Sequence, residues 1–385
     1  MYVKLENIFC QQPEALKSLI EQIYYVDHRI LNCDYNGNGL NIEFDLGCEI
    51  DEEYLMVEIQ KISLSTMQSF ERVETKILFE NEGTGSYDQD PMEELLNSKQ
   101  VIETFPGVYI LQGKILKCIK EMDSIFRTYA IERGAKEQHF QPTLSTKSLI
   151  ENGYISSFPH HPLFVASVVR DANRIKNLSK DAKEKHKNKI HQYEWLDNRL
   201  DTHEQVLSPT VCYHCFEALR DQSISNVGAQ FTAIASCHRN ESRNIKGLSR
   251  LQSFTMREIV FLGSTDFVKT CRNEILSHCQ SCLVDWNLKF RVVTASDPFF
   301  TSGSETKRVY QTVLELKYEI QAYLPHSESW LSIASFNNHE QSLVKSYGID
   351  FDLKDQPLHS GCVGYGYERM AYAFYSQFGL DSSIP

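Results

Sequence analysis

The sequence contains no run of eighteen or more apolar residues, so no membrane span is expected. Its N-terminal stretch, MYVKLENIFCQQPEALKSL, has no apolar segment leading to a small-residue cleavage site, which reads as a cytoplasmic start and not a secretory signal. Basic charge is in deficit too: 51 acidic side chains against 39 basic ones leave a formal net charge of −12. Phosphate neutralisation supplies most of the affinity for a long nucleic acid, so such a partner is disfavoured. No internal repeat and no long heptad pattern is present, which argues against solenoids and extended coiled coils. Disorder lacks a compositional basis at 42% hydrophobic and 23% charged residues. The eleven cysteines are odd in number and scattered, so reduced thiols are expected and not a disulfide framework. What remains is an ordinary globular composition over 385 residues, enough for two or three domains.

Residues 1–82 read as a small α/β domain. LNIEFDL (40–46) alternates apolar and polar side chains as a half-buried strand does, while Leu55, Ile59, Ile62 and Met67 keep helical spacing. ENEGTGSYDQDPMEE (80–94), rich in glycine and acids, marks a linker region over 83–105. The rest, 106–385, reads as one α+β domain. Ile115, Leu116, Ile119, Met122, Ile125, Phe126 and Tyr129 predict a helix running toward Pro142, where extended chain begins. FTAIASCHR (231–239) and RLQSFTMREIVFL (250–262) read as an antiparallel hairpin around a long polar loop. Residues 264–285 and 304–318 are expected as helices, KFRVVTA and WLSIASF as strands, and GCVGYGYERMAYAFYSQFG as a glycine-rich turn entering a last helix. RIKNLSKDAKEKHKNKI (174–190) holds seven basic residues against two acids, a solvated helix face or else a docking surface for an acidic partner.

SPTVCYHC (208–215) spaces two cysteines as half of a zinc ribbon or a redox pair would, or by chance. Its meaning depends on partners elsewhere in the chain. HRNES (238–242) closes the first hairpin strand with Arg239 and Glu241, Phe254 lies on the returning strand, and GYGYERMAYAF (364–374) sets Arg369 in the first turn of the last helix. This succession resembles motifs 2 and 3 of the class II aminoacyl-tRNA synthetases, and the helix leading to Pro142 resembles their motif 1, which builds a dimer interface. The likeness spans residues 108–385. It implies a class II synthetase-like antiparallel sheet flanked by helices, and a homodimer.

The chemistry it implies is adenylation: an amino acid's carboxylate attacks the α-phosphate of ATP and expels pyrophosphate. Charge grows on the phosphoryl oxygens, so a fixed guanidinium stabilises the transition state more than the ground state. On this resemblance Arg239 holds the α-phosphate and the substrate carboxylate, Glu241 reads the adenine amino edge and Phe254 stacks on the ring. Arg369 takes the γ-phosphate, with Arg250 a further γ-phosphate ligand. Arg239 and Arg369 are the expected catalytic pair. Mg²⁺ would accompany ATP, but WLSIASF lacks the glutamate that the seryl branch carries there, so its ligands stay unassigned.

Within the class, LKYEIQAYLP (316–325) is similar to the Lys-Tyr-acid strand of the seryl branch. SPTVC falls where that branch has a Thr-x-Glu loop, with Cys212 in place of the glutamate. A neutral thiol cannot hold an ammonium, but a zinc-bound thiolate makes a site for a neutral amine. Glu258 after motif 2 and Cys362 before motif 3 complete the zinc triad of the seryl enzymes of methanogens and of their truncated homologues, the amino acid:[carrier protein] ligases. His214 and Cys215 then form the wall behind the metal, and a ribbon with Cys279 and Cys282 is disfavoured. GYISSFPH, SDPFF, ASFNNH and HSGCVGYGYERM resemble the carrier-protein ligases, whose carrier-docking helix would lie near 304–316 with Lys307 and Arg308 exposed. The resemblance implies transfer of a small amino acid from the adenylate to the phosphopantetheine thiol of a carrier protein, with no tRNA. A seryl-type synthetase charging tRNA is the alternative, and a catalytically dead regulatory homologue a third reading.

Overall fold

The long strands of this chain are buried over much of their length, and they meet in one sheet. The computed structural model describes residues 1–5, 13–45, 51–71, 75–189, 196, 200–295, 314–353 and 355–385. The N-terminal unit is a three-stranded antiparallel sheet of β1 (Tyr2–Lys4), β2 (Ile30–Tyr35) and β3 (Gly39–Phe44), joined by α1 (Pro13–Ile23) and α2 (Glu52–Glu71). Leu19, Ile23, Ile30, Leu40, Ile42 and Ile59 form its own core.

Beyond it, β4 (Ile77–Asn81) does not stay with the N-terminal unit, where the expected boundary at residue 82 would put it. It is an edge strand of the large sheet. The stretch expected as a linker, 83–105, contains helix α3 (Pro91–Asn97), which Asp90 caps by accepting from the Met92 amide. Proline at the first helical position suits a start, since its missing N–H would be unpaired there anyway. Leu95 and Val101 from this stretch lie in the main core.

That core is built on a sheet of eight strands among the described residues. In order they are β4, β11 (Phe290–Thr294), β12 (Lys317–Leu324), β13 (Ser329–Glu340), β14 (His359–Gly366), β10 (Ser253–Gly263), β9 (Ala229–His238) and β5 (Lys136–Glu137). All neighbours pair antiparallel except β9 with β5. Lys317 and Tyr318, included in the expected helix 304–318, open strand β12 instead, and 304–313 lie outside the described residues. A smaller sheet joins β6 (Thr143–Ser145), β7 (Phe164–Val168) and β8 (Leu200–Leu207).

One face of the large sheet is covered by α4 (Gly113–Glu132), α7 (Thr265–Asp285) and α8 (Tyr367–Phe378), with a core that takes in Phe126, Ile259, Phe261, Ile275, Val363 and Met370. The basic helix α5 (Ala172–Lys187) buries no residue, in line with its reading as a solvated face. Helix α6 (Cys212–Ala218) packs through Cys215 and Phe216 with Val260, Leu262 and Cys362. Successive strand residues point to opposite faces. The two clusters therefore divide β10 and β14 between a helix-covered face and a second face, which α6 borders. None of the helices among the described residues is long and apolar enough to cross a membrane.

Candidate active site

The second face carries the chemistry, and period-two alternation selects its members. On β10 it presents Phe254, Met256 and Glu258, while Arg257 turns the other way to Asp123 on α4. Strand register then aligns a row: Glu319 on β12 pairs with Ser335 on β13, Ser335 with Gly364 on β14, and Gly364 with Glu258. The neighbouring row runs Lys317, Asn337, Cys362. Glycine is required beside it: a Cβ at Gly361 would collide with the Phe261 ring and lie 2.6 Å from the Asn337 carbonyl oxygen.

At one end of these rows Cys212, Glu258 and Cys362 converge. All three are buried, and their ligand atoms lie within 4.8 Å of one another. Cys212 begins helix α6, and the turn before it grips the carboxylate. Thr210 Oγ1 donates to Glu258 Oε1 at 2.5 Å and the Cys212 amide to Oε2 at 2.9 Å. Burial pushes the Glu258 carboxyl up to about 7, with the charge on Cys362 adding to the effect. Between the thiols, their mutual hydrogen bond raises Cys212 and lowers Cys362. His339 Nε2 and the Asn337 side-chain amide face the Cys362 sulfur at 3.4 and 3.5 Å. Two sulfurs and one carboxylate oxygen at this spacing fit a borderline-soft divalent cation such as Zn²⁺, and three protein ligands leave a coordination position for substrate.

The two cysteine-spacing alternatives find no support in the geometry. His214 stacks on Phe140 with ring centroids 4.7 Å apart, and Cys215 is buried in the wall. Cys279 is buried in the core and Cys282 half-buried beside it on α7. Among the described residues, Cys212, Glu258 and Cys362 form the one group of metal-ligand type.

The expected nucleotide residues gather beside this trio. Arg239 lies over the Phe254 ring at 5.2 Å, and its Nε donates to the Pro209 carbonyl at 3.1 Å, which ties it to the Cys212 turn. Glu241, buried, accepts from Arg250 Nε at 2.7 Å. Arg250 also forms an ion pair with Glu21 of the N-terminal unit. Arg369 Nε donates to the Ser249 carbonyl at 2.7 Å. Burial lowers the Arg369 guanidinium, and the positive charges of Arg250 and Arg239 lower it further. Three guanidiniums concentrated in one partly buried place repel each other, so the arrangement suits a polyanion that would neutralise them.

Lys307 and Arg308 lie outside the described residues. Other site groups were not assigned from sequence although their segments were singled out. Asn337 and His339 sit in ASFNNH, and Glu319 in LKYEIQAYLP. Glu319 bonds to Lys317 Nζ at 3.0 Å and accepts from the Ser332 hydroxyl, whose residue contributes its carbonyl to Arg369. Glu319 is the acid of the Lys-Tyr-acid strand, adjacent in the sheet to the strand that carries WLSIASF. Glu368 accepts from the Thr255 amide with both oxygens at 2.9 Å, which fastens the start of α8 to β10.

The tRNA synthetase class II core domain (G, H, P, S and T) matches residues 193–378. Amino acid–[acyl-carrier-protein] ligase 1 of Bradyrhizobium diazoefficiens is 29% identical over 299 residues, 76% of this chain and 87% of the relative. A type-2 serine–tRNA ligase of Methanococcus maripaludis is 25% identical over 86% of this chain, which spans only 63% of that relative. The fold matches the M. kandleri SerRS in its crystal structure with A. aeolicus tRNASec at a TM-score of 0.67 and 19% identity, over 92% of this chain and 72% of that one. Residues 193–378 thus match a class II tRNA synthetase core domain, and the chain is similar to amino acid–[acyl-carrier-protein] ligases over most of their length.

Proposed function

We propose that the protein is an ATP-dependent ligase that activates a small amino acid and passes it to the phosphopantetheine thiol of a carrier protein. The observation that carries this reading is the arginine cluster and the Cys212–Glu258–Cys362 trio sharing one face of the sheet, bridged by the turn 208–211. In the first half-reaction a carboxylate oxygen of the amino acid bonds to the α-phosphorus of ATP and pyrophosphate leaves. Arg239 would face the α-phosphate and the carboxylate, where its fixed charge stabilises the growing negative charge. Phe254 would stack on adenine and Glu241 read its amino edge. Arg250 and Arg369 would hold the γ-phosphate, and Glu319 is a carboxylate suited to an accompanying Mg²⁺. Cys212, Glu258 and Cys362 would hold Zn²⁺, which when bound supplies a Lewis-acid position for the substrate's neutral amino group. In the second half-reaction the thiol sulfur bonds to the acyl carbon, AMP leaves, and the thiol proton passes to solvent.

The relatives named as carrier-protein ligases support the acceptor, since this chain spans 87% of the Bradyrhizobium protein. The serine–tRNA ligases are matched over less of their length. A cytoplasmic homodimer is the proposed working form, with Lys307 and Arg308 as carrier-docking charges. The test offers purified protein a phosphopantetheinylated carrier protein and serine tRNA in parallel, with ATP and a panel of small amino acids. Thioester on the carrier and no charged tRNA is the expected result. Charged tRNA in place of the thioester overturns the acceptor. Arg239→Ala is expected to reduce amino-acid-dependent pyrophosphate exchange by about a hundredfold or more.

A further inference from the structure

The N-terminal unit has its own core, and no residue of the catalytic domain belongs to that cluster. Its end of α1 nevertheless meets the loop between β9 and β10, which carries the expected nucleotide residues. Tyr25 donates from its hydroxyl to the Asn240 carbonyl at 2.9 Å and packs edge-on against His160 at 4.6 Å. Asn244 donates to the Glu21 carbonyl at 3.0 Å, and the Ser242 hydroxyl to the Tyr24 carbonyl at 3.4 Å. The Glu21 carboxylate pairs with Arg250 Nη1, while Glu241 takes Nε of the same guanidinium.

We propose that Glu21 is a positioning residue for nucleotide affinity: it competes with the triphosphate of ATP for Arg250, so nucleotide binding and docking of the N-terminal unit oppose each other. The inference rests on the reading of Arg250 as a nucleotide ligand. Its charge balance is simple. Glu21 and Glu241 together offset the Arg250 charge, so the cluster with Arg239 and Arg369 is less positive than it would be without Glu21, and freeing Arg250 from Glu21 strengthens its attraction for phosphate. The contacts described between the loop and α1 are polar, the kind of interface that can open. Coupling between two binding events is reciprocal, so ATP must weaken the docking by the factor with which docking weakens ATP.

The test compares wild type, Glu21→Gln and Tyr25→Phe in amino-acid-dependent pyrophosphate exchange. Loss of one partly exposed charge pair is expected to lower the KM for ATP by about threefold to fivefold in Glu21→Gln, with kcat unchanged. Tyr25→Phe, which removes a docking hydrogen bond and keeps every charge, is expected to change KM in the same direction. In an Arg250→Ala background Glu21→Gln should have no effect on KM. Hydrogen exchange at the backbone amides of residues 19–26 should quicken when ATP is added to the wild type. A wild type that exchanges pyrophosphate while Glu21→Gln shows an unchanged or higher KM overturns this inference alone. A wild type with no exchange overturns the functional reading and this inference together.

Discussion

At the scale of single residues, the site is a set of buried groups whose charge states depend on each other. Cys212, Glu258 and Cys362 come from a helix start and two strands, so their convergence reflects the finished fold and no local motif. Each chain is expected to hold one tightly bound Zn²⁺ by elemental analysis. Cys362→Ser should lose it and Cys279→Ser keep it, because Cys279 lies in the core on the helix-covered face. The reverse pattern would remove the assignment. Metal loss should also lower the unfolding temperature, since three separate elements share the ion. His161 offers a measurement independent of metal. Burial holds its imidazole down at about 2, with the positive charge of Arg239 the next contributor. The unfolded chain binds a proton there near neutral pH and the folded one does not, so this group's stability contribution falls as pH drops below the ordinary histidine value. By pH 4 the loss attributable to His161 should be roughly 3 kcal/mol. Urea unfolding of wild type and His161→Gln across this range checks it: the variant's stability should fall less steeply on acidification. The residue roles expected from sequence came from short patterns, such as Arg-x-Glu and G-x-G-x-E-R, and from the place of single residues such as Cys212, Glu258 and Cys362 beside them. His339 and Glu319 escaped because their partners are set by strand register, which no single segment displays.

Elements were more legible than contacts. The β9–β10 hairpin and the helices α4 and α7 were expected from the sequence, whereas residues 361–366, expected as a glycine-rich turn, belong to strand β14, with glycine where strands crowd, as Gly361 does against Phe261. The stretch 83–105 was harder, since glycine and proline punctuate linkers and also begin helices such as α3. The sequence also gave no sign of which charges tie elements together. Arg257 is 1% exposed on β10, and Asp123 on α4 receives its Nε at 2.5 Å and the Tyr367 hydroxyl at 2.8 Å. That one carboxylate thus fixes α4, β10 and the start of α8, which aligns motif 3 with motif 2. Asp123→Ala removes the main acidic partner of the buried Arg257 guanidinium, leaving Glu137 at 3.8 Å, and is expected to cost about 3 kcal/mol by denaturant titration. Asp123→Asn, which retains a hydrogen-bond acceptor, should cost less. Equal and small losses in both would mean that the pair is not part of what holds the helix to the sheet.

For the whole molecule the remaining question is how a face outside the active site is used. Ile131 at the end of α4, Ile150 after β6 and Phe164 on β7 are 40%, 62% and 50% exposed. Single exposed apolar side chains are ordinary, but these fall within one stretch around Pro142, the region from which a self-complementary interface was expected. A closed two-fold pairing would bury such a patch against its own copy. A stable interface removes on the order of 800 Å² from each partner, which these side chains could centre but not supply alone. The wild type is therefore expected to scatter light as a dimer at micromolar concentration. Ile150→Asp combined with Phe164→Asp places two charges where apolar groups would meet and should shift the protein to monomer. Both side chains are exposed in the single chain, so the fold should survive, and circular dichroism of the monomeric variant would verify that. A wild type that stays monomeric, or a double variant that stays dimeric, would place the interface elsewhere or nowhere. If the dimer dissociates while pyrophosphate exchange persists, each active site is complete within one chain, as the gathering of Arg239, Arg250, Arg369 and the Cys212 trio over one face of the same sheet predicts.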